Sequence, residues 1–459
     1  MKPVFWVILL LAAVSVSAQV DTRVKAPETP AATPTSKDAD DASSSDTQQS
    51  QERLPALSGL EVLRSDLGRD ELSISGQVSE FADSHARHIG QASGFGAVSQ
   101  FGALMQLRHT WGRAVAIAEY SGGFAEGSRG SSEVQNYHEA GFTQTFTGGR
   151  WRFLGGAHFT YLPESGFGFN AFRAVPDANA ALDPHVQPAQ TVFTRSLTQF
   201  NETFATEVEY GLNRLSSITM FGTYGRRVFD GTIPLNSPTL LNSTETGAAF
   251  GYNHIVNSRN SIAVSYAYGQ FDFDRAAGQL RTHSAQFFYA RRLNRKLNYK
   301  LSAGPQLRMF QTIAKSSVDV IMAGSAELEY QMGRTQLDLA YLRQTTGGSG
   351  VLAGSLVNQV AMNAGRQLGR LWRGSASISY ARTASLDGLT LFAGQAYDAV
   401  YATGRVDRHL TRTLDVFLSY GVQVQSSQTH VSGAGALFPT RHLIVTGLVV
   451  HPRPLLLRR

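Results

Sequence analysis

Eight short polar strings, each centred on an arginine, punctuate this 459-residue chain. They read HTWGRAV, FTGGRWR, GLNRLSS, VNSRNSI, RLNRKLN, QMGRTQL, QLGRLWR and HLTRTLD, with arginines at Arg113, Arg150, Arg214, Arg259, Arg295, Arg334, Arg370 and Arg412. Successive arginines stand between 36 and 64 residues apart, and the stretches between them alternate apolar and polar. A tight polar turn repeated at that interval marks one two-stranded unit after another. The chain is therefore predicted to form a sheet of many hairpins.

The opening, MKPVFWVILLLAAVSVSAQV, reads as a secretory signal over residues 1–18. Lys2 supplies the positive end, Val4 to Val16 the apolar run, and Val16-Ser17-Ala18 a small-residue cleavage site. Beyond it no apolar run approaches the roughly 18 residues of a membrane helix. An exported chain of hairpins without a spanning helix points to a closed barrel, which satisfies every backbone group within lipid. There is no cysteine, which excludes disulfides, a lipid-modified anchor, thiolate metal sites and a cysteine nucleophile. Charged residues are 17 %, below the roughly 25 % of soluble domains. The 44 glycines and 10 % aromatics suit curved strands and membrane boundaries. The net charge of +6 comes without a basic stripe interleaved with aromatics, so nucleic acid is not an expected partner.

Residues 19–65 are rich in Pro, Thr, Ser, Asp and Gln and poor in large apolar side chains. They are expected to be a disordered periplasmic linker, either a plain spacer or a partner-binding tail. From residue 71 to 452 the alternation runs. In TLDVFLSYGVQVQ, Leu414, Val416, Leu418, Tyr420, Val422 and Val424 share one face, against Asp415, Phe417, Ser419, Gly421, Gln423 and Gln425. LNYKLSAGPQLRM and SVDVIMAGSAELEYQ behave alike. A soluble sandwich also alternates, but here no sequence is left over to cover the apolar faces, and lipid can. Trp111, Trp151 and Trp372 all sit beside short turns, where an indole ring is half buried and its N–H wet at a membrane interface.

Nine longer loops, near 82–97, 122–133, 163–200, 229–242, 272–280, 312–317, 347–353, 384–394 and 426–440, alternate with the eight turns. This predicts an all-β, transmembrane antiparallel up-and-down barrel of 18 strands, with both termini on the short-turn side. Sixteen is the count if ELSISGQVSEF and RHLIVTGLVVH do not take part. A barrel this wide holds a water-filled lumen.

Charges are too costly against lipid, so the strand phase sends them inward. The expected lumen residues are Arg108, Arg152, Arg227, Arg292, Lys300, Arg308 and Arg373, with Glu207, Glu209, Glu327, Glu329, Asp338 and Asp415. They read either as solvated ion pairs or as a transverse field across an aqueous pore. The longest loop, 163–200, carries Glu164, Arg173, Asp177 and Asp183 beside Phe167, Phe169, Phe172 and His185. It either folds inward and narrows the barrel or caps it outside. GxSxG, HExxH and GxxxxGK[ST] motifs are absent, and Glu327 and Glu329 read as wall charges rather than a catalytic pair. His85 and His88 have no companion ligands, so neither a metal nor a cofactor is expected. The chain is not expected to be an enzyme.

In signal, turns, alternation and interface tryptophans, residues 71–452 resemble Gram-negative outer-membrane β-barrel proteins of the porin-like type. The resemblance implies a channel for passive diffusion of small polar solutes, set in outer-membrane lipid and inserted by the outer-membrane assembly machinery. It admits a homotrimer, as in general porins, and likens loop 163–200 to their constriction loop. The same architecture serves exopolysaccharide exporters, expected to have a strongly basic lumen, and non-conducting scaffolds or surface receptors. No folded plug of adequate length precedes the strands, which argues against a TonB-dependent transporter. The end, HPRPLLLRR, lacks the terminal aromatic common in such barrels. Either Gly447 and Val450 carry that signal upstream, or the last strand lies elsewhere.

Overall fold

The structure, a computed structural model, describes residues 70–86, 94–127, 135–162, 198–230, 241–274, 278–311, 316–348, 352–386, 396–427 and 440–456. The segments expected to be the signal and the linker, residues 1–65, lie outside these. Strands follow one another in chain order. The first nine are β1 (Glu71–Ala86), β2 (Gly94–Trp111), β3 (Ala114–Gly127), β4 (Gln135–Gly148), β5 (Trp151–Leu162), β6 (Thr198–Gly211), β7 (Ser216–Asp230), β8 (Ser243–Asn257) and β9 (Asn260–Phe273). The next nine are β10 (Gly278–Asn294), β11 (Leu297–Gln311), β12 (Ser316–Met332), β13 (Thr335–Thr346), β14 (Ser355–Gln367), β15 (Trp372–Ser385), β16 (Ala396–His409), β17 (Leu414–Ser427) and β18 (Arg441–Val450).

Each strand pairs antiparallel with the next, and β18 pairs with β1 from Gly76↔Val450 to Asp83↔Leu443, which closes the sheet. RHLIVTGLVVH therefore is the last barrel strand. A two-residue piece, β19 (Leu455–Leu456), prolongs this seam by pairing with Glu71 and Leu72. Pro452 and Pro454 separate it from β18, since neither has an N–H to offer the ladder. Tracing the pairings once around returns to β1 about 22 residues along, which for 18 strands sets a tilt of about 40° and a backbone-to-backbone width of roughly 35 Å.

All eight arginine strings form the short turns. Gly112, Gly149 and Gly333 stand just before their arginines with φ of 58°, 58° and 57°, the left-handed conformation a tight hairpin needs. Every short turn is also tied to the hairpin that follows it. Arg113 O accepts from Thr147 N at 3.0 Å, Arg150 O from Gly211 N at 2.8 Å, and Leu215 O from Ile255 N at 2.7 Å. The same bond recurs at Arg259 O, Lys296 O, Arg334 O, Leu371 O and Thr413 O, the last receiving His451 N at 2.8 Å. The rim is thus hydrogen-bonded from each turn to the next, except at the seam between β18 and β1.

The register sorts the side chains into two faces. Val78, Phe101 and Phe124 align across β1–β3, and Met220, Phe250 and Tyr266 across β7–β9, all of them exposed. Leu339, Val360 and Tyr380 continue that outward band across β13–β15. The opposite parity carries Gln, Ser, Thr and the charged pairs. Trp111, Trp151 and Trp372 point outward at the short-turn edge and are 40 %, 45 % and 43 % exposed. Tyr161 marks the other edge on β5, ten residues from Trp151 and on the same face. Ten residues span about 33 Å along a strand, or about 25 Å along the barrel axis at that tilt, which is the height of a barrel's apolar band.

Strands outrun the apolar alternation on the loop side. β1 continues to Ala86 and β3 to Gly127, inside segments expected to be loops. Beyond the membrane no face has to be apolar, so periodicity fades while the backbone ladder continues.

Candidate functional site in the barrel interior

Inward charges gather in three groups near the short-turn end, about a third of the circumference apart. On β5–β6, Arg152 Nη2 lies 2.8 Å from Glu207 Oε1, and its Nε 3.2 Å from Glu209 Oε2. On β11–β12, Lys300 Nζ lies 3.3 Å from both Glu327 and Glu329, and Asp338 on β13 pairs in register with Glu329. On β16–β18, Arg405 meets Asp407 at 2.7 Å, while Asp415 is held by His409 at 2.6 Å and His451 at 3.2 Å. Strand spacing produces the first two groups: residues two apart share a face, so one cation bridges a pair of acids. Nearer the loops, Arg308 pairs with Asp319, and Arg441 locks to Asp83 across the seam at 3.0 Å.

Apolar packing supports the seam from inside. Phe81, Phe417, Leu443, Val445 and Val449 form one buried cluster. The Arg405 guanidinium lies 4.0 Å from the centre of the Phe417 ring. Phe417 lies over Gly447, where a Cβ would come within 2.7 Å of the ring and of Val78 O. An aromatic covering a glycine on the next strand fixes register and curvature together.

At the opposite end, the described parts of the β13–β14 loop, residues 347–348 and 352–354, turn into the mouth. Gly348 has φ +77° and Gly354 +81°, and a Cβ on Gly348 would meet Leu352 O at 2.0 Å, so this loop requires glycine there. Thr346 and Ser355 hydroxyls bond at 3.0 Å across its base. Ala353 packs with Phe271 and Phe273 of β9, Leu280 of β10, Phe310 of β11 and Leu386. A third of the way round the wall, Arg227 of β7 donates from Nη1 to Gly348 O at 2.8 Å and from Nε to Asn201 Oδ1 at 3.1 Å, and is 6 % exposed. Gln199 and Thr160 complete that network around Asn201. Gly348 is two residues past β13, a reach of at most about 7 Å, so loop and arginine close the mouth to well under its full width.

All thirteen residues expected in the lumen occupy inward registers. Arg152, Glu207 and Glu209 come together, as do Lys300, Glu327 and Glu329, while Arg227 is drawn into the mouth. Arg108 is in register with Glu71, and Arg373 with Asp407. Arg292 stands on the inward face of β10 near its turn. Glu164, Arg173, Asp177, Asp183, His88 and the side chain of His85 lie outside the described residues. Sequence reasoning missed inward Glu71, Asp83, Glu119, Glu139, Glu245 and Asp407, against only Arg405 and Arg441 among the cations. Glu119 and Glu139 sit in glycine-rich runs with weak alternation, although their parity with Tyr137 and Ser121 placed them. The seven cations and six acids expected from sequence therefore become an acidic excess among the described inward residues.

A closed, tilted sheet with an apolar exterior, interfacial tryptophans and a charged interior is a transmembrane β-barrel of the outer-membrane type. No family model matches the chain, and no curated protein does. Among solved structures it is similar in fold to OccK2 (OpdF) of Pseudomonas aeruginosa, at TM-score 0.41 and 10 % identity, over 83 % of this chain and 98 % of that one. OpdQ of the same organism gives 0.41 and 12 %, over 84 % and 98 %. The ferric-catecholate import receptor Fiu of E. coli gives 0.41 and 8 %, over 84 % and 82 %.

Proposed function

We propose that this barrel is an outer-membrane channel for passive diffusion of small polar solutes, with a weak preference for cations. The observation that carries it is the inward charge pattern: three charged groups spaced around the wall, two of them with more acids than cations, within an acidic excess among the described inward residues. Such a wall sets up a transverse field in which dipolar solutes orient, and its surplus carboxylates favour positive ions. The β13–β14 loop and Arg227 narrow the entrance and limit solute size. The chemistry needed is binding and passage, so the reading is non-enzymatic. An acidic excess does not suit an exopolysaccharide exporter.

Purified protein in a planar bilayer should give discrete conductance steps, and a potassium chloride gradient should give a reversal potential of cation-selective sign. Silence at all voltages and salt concentrations would sink the channel; anion selectivity would sink the role assigned to the carboxylates.

A further inference from the structure

The two membrane edges of this barrel carry different charge. At the short-turn edge the eight turn arginines are all exposed, together with Lys296 in a turn and outward Arg291, Arg366 and Arg408. Among the described residues no Asp or Glu lies in the eight turns, and the one outward acid within about five residues of them is Asp70, held by outward His109 at 3.2 Å. The other described acids at this end, such as Glu209, Glu329, Asp338 and Asp415, face the lumen. At the loop edge, outward Arg226, Arg281, Arg343 and Arg382 are interspersed with outward Glu80, Glu126, Glu202, Asp272 and Asp398. One edge is thus a cationic band and the other is mixed.

Depth strengthens the contrast. Trp111, Trp151 and Trp372 lie on the same edge, directly beside Arg113, Arg150 and Arg370, and fix the level of the headgroups. Arg408 lies with its guanidinium 5.1 Å from the centre of the Trp372 ring, so its charge is held at the depth of the indole. The turn arginines stand on a rim in which each turn is hydrogen-bonded to the strand ahead of it, so they recur around the circumference except at the seam between β18 and β1.

We propose that the short-turn rim is a binding surface for anionic phospholipid headgroups, whose phosphates it collects as an annulus in the leaflet on that side. Charge complementarity selects the partner: a band of twelve cations against a single described outward acid, Asp70, at headgroup depth, attracts phosphate diesters bearing net negative charge and gains little from zwitterionic lipid. This does not depend on whether the lumen conducts.

The test is native mass spectrometry of the full-length protein in detergent with equal phosphatidylglycerol and phosphatidylcholine. Wild type should retain phosphatidylglycerol preferentially, and the preference should fall as salt rises. A variant with Arg113, Arg150, Arg295 and Arg334 changed to Gln should lose the preference at least tenfold. A control with R226Q, R281Q and R382Q at the other edge should keep it. Equal retention of both lipids, an unchanged preference in the rim variant, or equal losses in the two variants would overturn the proposal. Should the rim variant fail to show the gel shift of a folded barrel, the salt dependence of wild type decides: a preference indifferent to ionic strength overturns it.

Discussion

Replacing Arg227 with alanine should release the β13–β14 loop from β7, a third of the way round the wall. Arg227 makes two buried bonds there, to Gly348 O at 2.8 Å and to Asn201 Oδ1 at 3.1 Å. A hydrogen bond from a charged donor contributes about 1.5–3 kcal/mol. Only the bond to Gly348 holds the loop itself, so its loss weakens the inward position by about 2 kcal/mol, or roughly 30-fold in population. Packing of Ala353 against Phe271, Leu280 and Phe310 persists, so the loop should open more often rather than detach. The absence of cysteine from the chain makes the assay clean. Ala353→Cys places a thiol where the residue is 2 % exposed, and a water-soluble maleimide can react only when the loop lifts. In the R227A background labelling should speed up by about 30-fold, with R227K intermediate, since lysine keeps the charge but not the fork. Equal labelling rates in the two backgrounds would refute the tether.

Three further expectations follow from the wall. Lys300→Met leaves Glu327 and Glu329 without the cation 3.3 Å from each, so the potassium-to-chloride permeability ratio should rise several-fold in bilayer recordings. Gly447→Val sets side-chain atoms against Phe417 and Val78 O, and should cost about 1–3 kcal/mol, read as an earlier midpoint in urea unfolding. Ile378→Arg places a charge in the outward band, where residue 378 is 49 % exposed, and should destabilise by about 2–4 kcal/mol, whereas Ser377→Arg, facing inward, should cost under 1 kcal/mol in the same denaturant series.

The barrel was legible in the sequence because its two strongest signals are local. A Gly, Asn, Ser or Thr followed by Arg marks every short turn, and parity then follows from any one strand with a clear apolar face, such as Leu414 to Val424. That parity put Arg152, Glu207, Lys300 and Glu327 on the inward face, but it pointed Glu207 and Glu209 toward Arg227, whereas the structure gives them Arg152. Pairs across distant chain positions were not legible. Asp83 and Arg441 meet only because the first and last strands close the seam, and nothing near either residue says so. The inward β13–β14 loop was equally hidden. TTGGSGVLAG reads as an ordinary exposed connection, and its anchor, Arg227, lies more than a hundred residues away. Sequence length drew attention to loop 163–200 instead, because length is visible in a sequence and a tether is not.

The bonds that run from each turn to the next hairpin all point the same way around the rim. A hairpin added at the growing edge therefore finds a free carbonyl waiting and leaves one behind for its successor. Such a latch can be repeated or shortened only by whole hairpins, since removing a single strand would leave a turn with nothing to hold. Lineages built on this plan should differ in strand number by twos, with the far loops free to diverge.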